Sequence, residues 1–145
     1  MGNRIAAFAA VALLVLGGVL TWFVMVQRAP RVTPARVLTP EAKSYVRNLK
    51  LSEVSMKATE SYVKQMVTEI EGKITNSGDR VVKQADVYCI FYNVYGEVVL
   101  RDRVTIVRGG LKPGESRAFR LPFDDIPEGW NNQMPQLVIA QIEFA

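Results

Sequence analysis

Three sets of side chains in this sequence carry groups that could do chemistry. The first is the loop holding Asp124, Asp125, Glu128, Asn131 and Asn132, whose oxygens are the ligand type calcium takes. Adjacent aspartates seldom chelate one ion outside an EF-hand frame, and the Gly-centred spacing of that frame is missing. A solvated loop with local Asx turns is the stronger reading. The second set is Arg101, Arg103, Arg108, Arg117 and Arg120, a ribbon of guanidinium groups that would suit an anionic ligand. Asp102 and neighbouring acids offer these arginines cross-strand partners instead, each exposed pair contributing on the order of 0.3 kcal/mol. The third is Cys89, set in Tyr88-Cys89-Ile90-Phe91, where it reads as a small apolar residue.

What is missing narrows the field further. The chain has no histidine, which removes Ser-His-Asp and Cys-His nucleophile systems and nearly all zinc sites. One cysteine forbids an internal disulfide and a CxxC redox motif. No paired-carboxylate hydrolase site and no phosphate-cradling loop is present. The expectation is a protein without catalytic, cofactor or metal residues. The pI of about 9.4 suggests nucleic acid until the charge is located. Residues 27–50 hold six basic side chains against Glu41 alone, while residues 51–145 hold eleven basic and thirteen acidic ones. The excess is confined to one short stretch and the rest is nearly neutral, so no nucleic-acid partner is expected.

That basic stretch follows residues 5–26, IAAFAAVALLVLGGVLTWFVMV, which contain no charge. As a helix this run would be about 33 Å long, enough to cross the hydrocarbon core of a bilayer. It exceeds the apolar region of a signal peptide, and Gln27-Arg28-Ala29-Pro30 is a poor cleavage context. It is read as a permanent single-span anchor. Arg28, Arg31 and Arg36 then meet anionic lipid headgroups, and Trp22 sits at headgroup level. Sidedness is contested within the sequence. Positive residues beyond the span outnumber Arg4 before it, which favours a cytoplasmic domain, yet a short tail with one Arg is how ordinary N-in anchors begin.

Stepwise along the chain, residues 27–39 carry Pro30 and Pro34 and read as an extended linker. Thr39-Pro40-Glu41 starts a short helix to about Asn48, which could be no more than a stalk. From Leu49 the period becomes that of strands. A slip at Ser52-Glu53 predicts a bulge. Residues 59–65 read as strand or as a helical turn. Met66, Thr68, Ile70, Gly72 and Ile74 share one face of a strand whose other side is wet. Asn76-Ser77-Gly78-Asp79 is a turn. Residues 85–95 are apolar on both faces, and further strands are expected over 98–107, around Phe119, Leu121 and Phe123, and over Val138, Ala140, Ile142 and Phe144. The pattern predicts an all-β, antiparallel immunoglobulin-like β-sandwich over 49–145, behind an anchor at 1–26 and a linker with short helix at 27–48.

Several motifs then act together: Glu71-Gly72-Lys73-Ile74-Thr75-Asn76-Ser77-Gly78-Asp79, Ile90-Phe91-Tyr92-Asn93, Gly96-Glu97-Val98-Val99, Leu111-Lys112-Pro113-Gly114-Glu115-Ser116-Arg117-Ala118-Phe119, and Ile126-Pro127-Glu128-Gly129-Trp130-Asn131. In order and spacing, residues 45–145 resemble bacterial membrane-anchored domains related to the FxLYD family. The resemblance implies an immunoglobulin-like sandwich behind an N-terminal anchor, with no assigned activity and no catalytic residues. It also implies a domain on the outer face of the inner membrane, the side taken as the expectation here.

The stripe Tyr88, Ile90, Tyr92 and Val94 is either core or a partner-facing surface, because both faces of one strand cannot meet the same core. Trp130 either plugs the end of the sandwich or anchors a partner. Tyr88, Ile90, Tyr92 and Trp130 are the candidate partner-binding residues, and larger membrane-protein subunits the expected partners. The expected role is a non-enzymatic accessory subunit of an envelope, respiratory or photosynthetic complex. The alternative is a free-standing envelope module for a carbohydrate or small ligand.

Overall fold

The computed structural model describes Trp22 and residues 31–32, 37–60 and 66–145. The chain divides into two units, Met1–Pro30 and Arg31–Ala145. The expected anchor lies outside the described residues except for Trp22, which is helical and exposed. Among the described residues no helix is long and apolar enough to cross a membrane. Arg28 and Arg36 also lie outside them, as does the helical-turn alternative over 61–65.

Among its described residues the second unit is all-β apart from one short helix and the 3₁₀ turn that follows it. Its strands are β1 (Arg31–Val32), β2 (Leu49–Glu60), β3 (Met66–Asn76), β4 (Val82–Tyr92), β5 (Val98–Val107), β6 (Ser116–Phe123) and β7 (Gln136–Phe144). They form two sheets, ordered β1-β5-β4-β7 and β2-β3-β6. Every pairing is antiparallel except β1 beside β5, which is parallel, with Arg31 opposite Leu100. Part of the segment read as an extended linker is thus joined to the sheet.

Alternation decides which side chains fill the space between the sheets. Ile70 and Ile74 of β3, Phe119, Leu121 and Phe123 of β6, and Val87, Cys89 and Phe91 of β4 are all buried there. Gly72 lies opposite Phe119, and a Cβ at that position would stand 2.6 Å from the phenyl ring. The glycine makes room for the aromatic side chain across the strand pair. The expected slip in β2 is present as a register shift between Ser52 and Ser55, with Glu53 at φ 52°. Thr59 and Glu60 continue the strand rather than turning into helix.

Strand β7 departs from the expected face assignment. Ile139 and Ile142 enter the core, whereas Ala140 joins Tyr88 and Ile90 on the outer face. Asp86 pairs with Gln141 but Val87 pairs with Ile139, so Ala140 is the extra residue of a bulge. The bulge flips the strand's phase, and Val138, Ala140, Ile142 and Phe144 do not share one face.

Helix α1 (Pro40–Tyr45) starts as its cap predicts, with Thr39 Oγ1 accepting from Ala42 N at 3.2 Å. A 3₁₀ turn over Val46–Asn48 leads into β2. Ala42 and Tyr45 are buried in the core, so the helix is packed into the domain and is no stalk. Tyr45 meets Phe144 edge-on at 5.0 Å, and the Arg80 guanidinium lies 3.6 Å over that phenyl ring. Its hydroxyl donates to Asn76 Oδ1 at 2.9 Å and accepts from Arg80 N at 3.0 Å. Replacing Tyr45 by Phe keeps the ring but leaves the Arg80 amide without this acceptor. Urea unfolding of Tyr45→Phe is expected to show a loss of about 1–3 kcal/mol. Gly78→Ala is expected to lose more, because a Cβ there would stand 2.2 Å from the Tyr45 hydroxyl.

Candidate functional site

The direction of each strand sorts the connections between two ends of the sandwich. One end gathers α1, residues 77–81, residues 108–115 and the close of β7. The other gathers residues 93–97, residues 124–135 and the start of β3 at Met66. The side chains suited to contact collect at this second end.

The hairpin there is held by Asn93. Its Oδ1 accepts from Tyr95 N and Glu97 N, each at 2.9 Å, and its Nδ2 donates to Glu97 at 2.7 Å. Gly96 takes φ +78°, a backbone that a residue with Cβ adopts only with strain. The result is a rigid turn presenting Val94 and Tyr95, which are 76% and 85% exposed. The following loop is strapped to it, since Asn131 N donates to Tyr92 O at 2.9 Å and Asn93 bridges to Trp130.

Trp130 is half-buried and packs edge-on against Phe91 at 5.5 Å, with its Nε1 donating to Gln133 O at 3.2 Å. The indole thus plugs the sandwich end while keeping one side available. Beside it lies a cleft of about 390 Å³ lined by Met56, Met66, Phe123, Asp124, Trp130 and Asn132.

The other three candidate contact residues stand on the outer face of the four-stranded sheet. Tyr88 and Ile90 are buried with Ala140 in a small second cluster, against which Tyr92 and Val98 pack. Tyr92 is half-buried and donates its hydroxyl to Gln136 Oε1 at 2.7 Å. Val37, Leu38 and Lys43 line a shallow cleft together with Tyr88, Ile90 and Val138. The structure therefore brings Tyr92 and Trp130 to the same end and leaves Tyr88 and Ile90 lower on the sheet. Sequence reasoning places Tyr95-Gly96-Glu97 in a turn but does not count Tyr95 among the contact residues, although a turn between two strands puts residue 95 at a tip.

The arginines do not form one ribbon. Arg103 binds Asp86 on the outer face of the four-stranded sheet, its Nε donating at 2.8 Å. Arg120 pairs with Glu69 and Glu71 on the other sheet, and Arg117 caps the carbonyls of Arg108 and Gly110. The hydrogen bond from Lys57 holds the Glu71 carboxyl below its usual range, against burial and with help from Arg120. Backbone donation from Lys112 and the Arg117 guanidinium do the same for Glu115. Burial pushes the Cys89 thiol up to about 12, so it stays protonated and unreactive at neutral pH. Among the described residues no group of three or more acids or cysteines is placed to hold a metal ion.

Among the described residues Asp86 is the one buried carboxylate, covered on the outer face of the four-stranded sheet. Burial alone would raise its pKa, but hydrogen bonds from Arg103, Gln84 and Thr105 outweigh that cost and lower it. A lowered folded-state pKa stabilises the fold above the unfolded value near 3.9, and that contribution disappears as pH falls further. Acid titration of thermal stability is expected to show the native chain losing stability below about pH 4. Asp86→Asn is expected to be less stable at neutral pH by about 2 kcal/mol and to follow a flatter acid limb.

No family model, curated protein or solved structure matches this chain.

Proposed function

We propose that this chain is a non-enzymatic, single-span membrane protein whose β-sandwich works by protein–protein contact. Its role on this reading is that of a small accessory subunit in a larger envelope, respiratory or photosynthetic membrane complex. Residues 5–26 supply the anchor, Arg28, Arg31 and Arg36 meet anionic headgroups, and the domain stands on the exocytoplasmic side of the inner membrane. The immunoglobulin-type assignment draws support from strand order, with β4 between β5 and β7 in one sheet and β3 between β2 and β6 in the other. Kinship with FxLYD-related domains belongs to the same proposal.

The observation that carries the contact role is the display of Val94 and Tyr95, two large apolar side chains exposed on a turn that Asn93 holds by hydrogen bonds to Tyr95 N and Glu97 N. Burying such a pair against a partner would contribute about 1.5–3 kcal/mol per side chain before ordering costs. Tyr92 and Trp130 extend the same end.

The second reading, a free-standing module for a carbohydrate or small ligand, draws on the cleft beside Trp130. An aromatic wall with Asp124 and Asn132 at its rim is the usual make-up of a small polar ligand's site.

Gentle detergent extraction followed by native gels separates the two. The accessory role predicts co-migration with larger subunits, and Tyr92→Arg is expected to weaken that association while leaving the melting temperature within a few degrees. A clean monomer whose melting rises on adding soluble glycans would favour the ligand-binding module and defeat the accessory role.

A further inference from the structure

We infer that the shallow cleft on the outer face of the four-stranded sheet is a binding site for a medium-chain carboxylate, its hydrocarbon chain laid over Tyr88 and Ile90 and its head group held by Arg101 and Lys43. The cleft belongs wholly to the unit Arg31–Ala145, so the inference needs neither the anchor nor the turn at Val94 and Tyr95. Its floor is built by cross-strand neighbours. Ile90 of β4 lies opposite Arg101 of β5, and Tyr88 of β4 lies opposite Val138 of β7. Two strand spacings make this patch about 10 Å across. Val37 and Leu38, on the approach to α1, line the same cleft. Val37 is 96% exposed and Val138 39%, so apolar surface stands in water here. The cavity measures about 350 Å³, at the small end for small-molecule sites, which suits one hydrocarbon chain and not a two-chain lipid.

Charge selects the head group. Among the described residues four arginines are half-buried: Arg80, Arg101, Arg103 and Arg117. Three of them meet a carboxylate, Glu41 for Arg80, Asp86 for Arg103 and Glu115 for Arg117. Arg101 meets none among the described residues, and neither does Lys43. Alternation puts the adjacent Asp102 on the opposite face of β5, where it accepts from Arg103 N at 2.9 Å. No acid is among the described residues that line the cleft. A half-buried guanidinium without an anion forgoes the charge-assisted bonds its fork is shaped to make. A carboxylate accepts both parallel N–H bonds of that fork, and Lys43 adds a second positive charge. An uncharged apolar ligand would cover the floor and leave the cations unmet, whereas a small hydrophilic anion would leave the floor bare. A molecule with both parts answers the whole site.

The test uses the full-length chain in phosphatidylcholine nanodiscs, with the methyl NMR signals of Ile90 and Val138 followed as sodium decanoate is added. Those signals are expected to shift saturably, while Ile126, beside the separate cleft at Trp130, stays in place. Decanol carries the same chain without the charge and is expected to bind about tenfold more weakly, as is decanoate to Arg101→Gln. Lys43→Gln, at an exposed side chain, should weaken binding several-fold and keeps the test available if Arg101→Gln does not fold. Lys50→Gln, on the other sheet, should bind as the native chain does. The melting temperature of each variant without ligand establishes that it is folded. Equal affinity for decanol and decanoate, binding indifferent to both cleft substitutions, an equal loss in Lys50→Gln, equal shifts at Ile126, or no saturable shift at all would overturn the inference.

Discussion

A single buried amide sets the terms for one end of this domain. Asn76 is fully buried at the point where the chain leaves one sheet and crosses to the other. A polar side chain there is tolerable only if every donor and acceptor is met. All four are: Oδ1 accepts from Tyr45 and Gly78, and Nδ2 donates to Arg80 O and Leu111 O. Its backbone adds bonds to Glu115 O and from Gly114 N. One residue therefore ties together the helix, the crossover turn and the β5–β6 loop. Gly78 follows from the same constraint, since a side chain on it would occupy the space the Tyr45 hydroxyl needs.

With that end closed, the structure divides its polar resources unequally. Ion pairs such as Lys57–Glu71, Arg120–Glu69 and Lys73–Glu53 lie across the outer face of the three-stranded sheet. They sit in water and contribute little individually. The Asp86–Arg103 pair is different, with side-chain exposures of 4% and 23% on a face that also carries Tyr88 and Ile90. The four-stranded sheet thus has a second, smaller cluster outside the core. At the far end, Val94 and Tyr95 have no such shelter. A body locked at one end and presenting apolar groups at the other is what the proposed docking role requires.

Much of this was legible in the sequence. The change from helical to strand period at Leu49, the slip at Ser52-Glu53, and the alternation of Phe119, Leu121 and Phe123 each matched a structural feature, because each is a local consequence of side-chain period. Asn76 was legible as a turn residue but not as a buried hub, since its partner Tyr45 lies 31 residues away. The phase of β7 was not readable either. Leu137, Val138, Ile139 and Ala140 are all apolar, so composition fits either face until the pairing with β4 places the bulge. Asp102 looked like the natural partner for its arginine neighbours, yet the sheet brings Asp86 to Arg103 across the β4–β5 pair. The turn at Tyr95-Gly96-Glu97 was legible, but Tyr95 was not counted as a contact residue because attention went to its strand neighbours in the both-faces-apolar run.

The measurement that bears most directly on this account is native-state exchange of the backbone amides of Gly78 and Arg80. Both lie in a surface turn, yet each donates to a side chain of the Asn76–Tyr45 network, at 3.1 and 3.0 Å. If that network locks the end of the sandwich, the two amides exchange only when the whole domain unfolds, as slowly as those in the middle of β4. Exchange as fast as that of the exposed Gly109 amide would show that the turn opens on its own and that Asn76 does not hold the helix and the two sheets together.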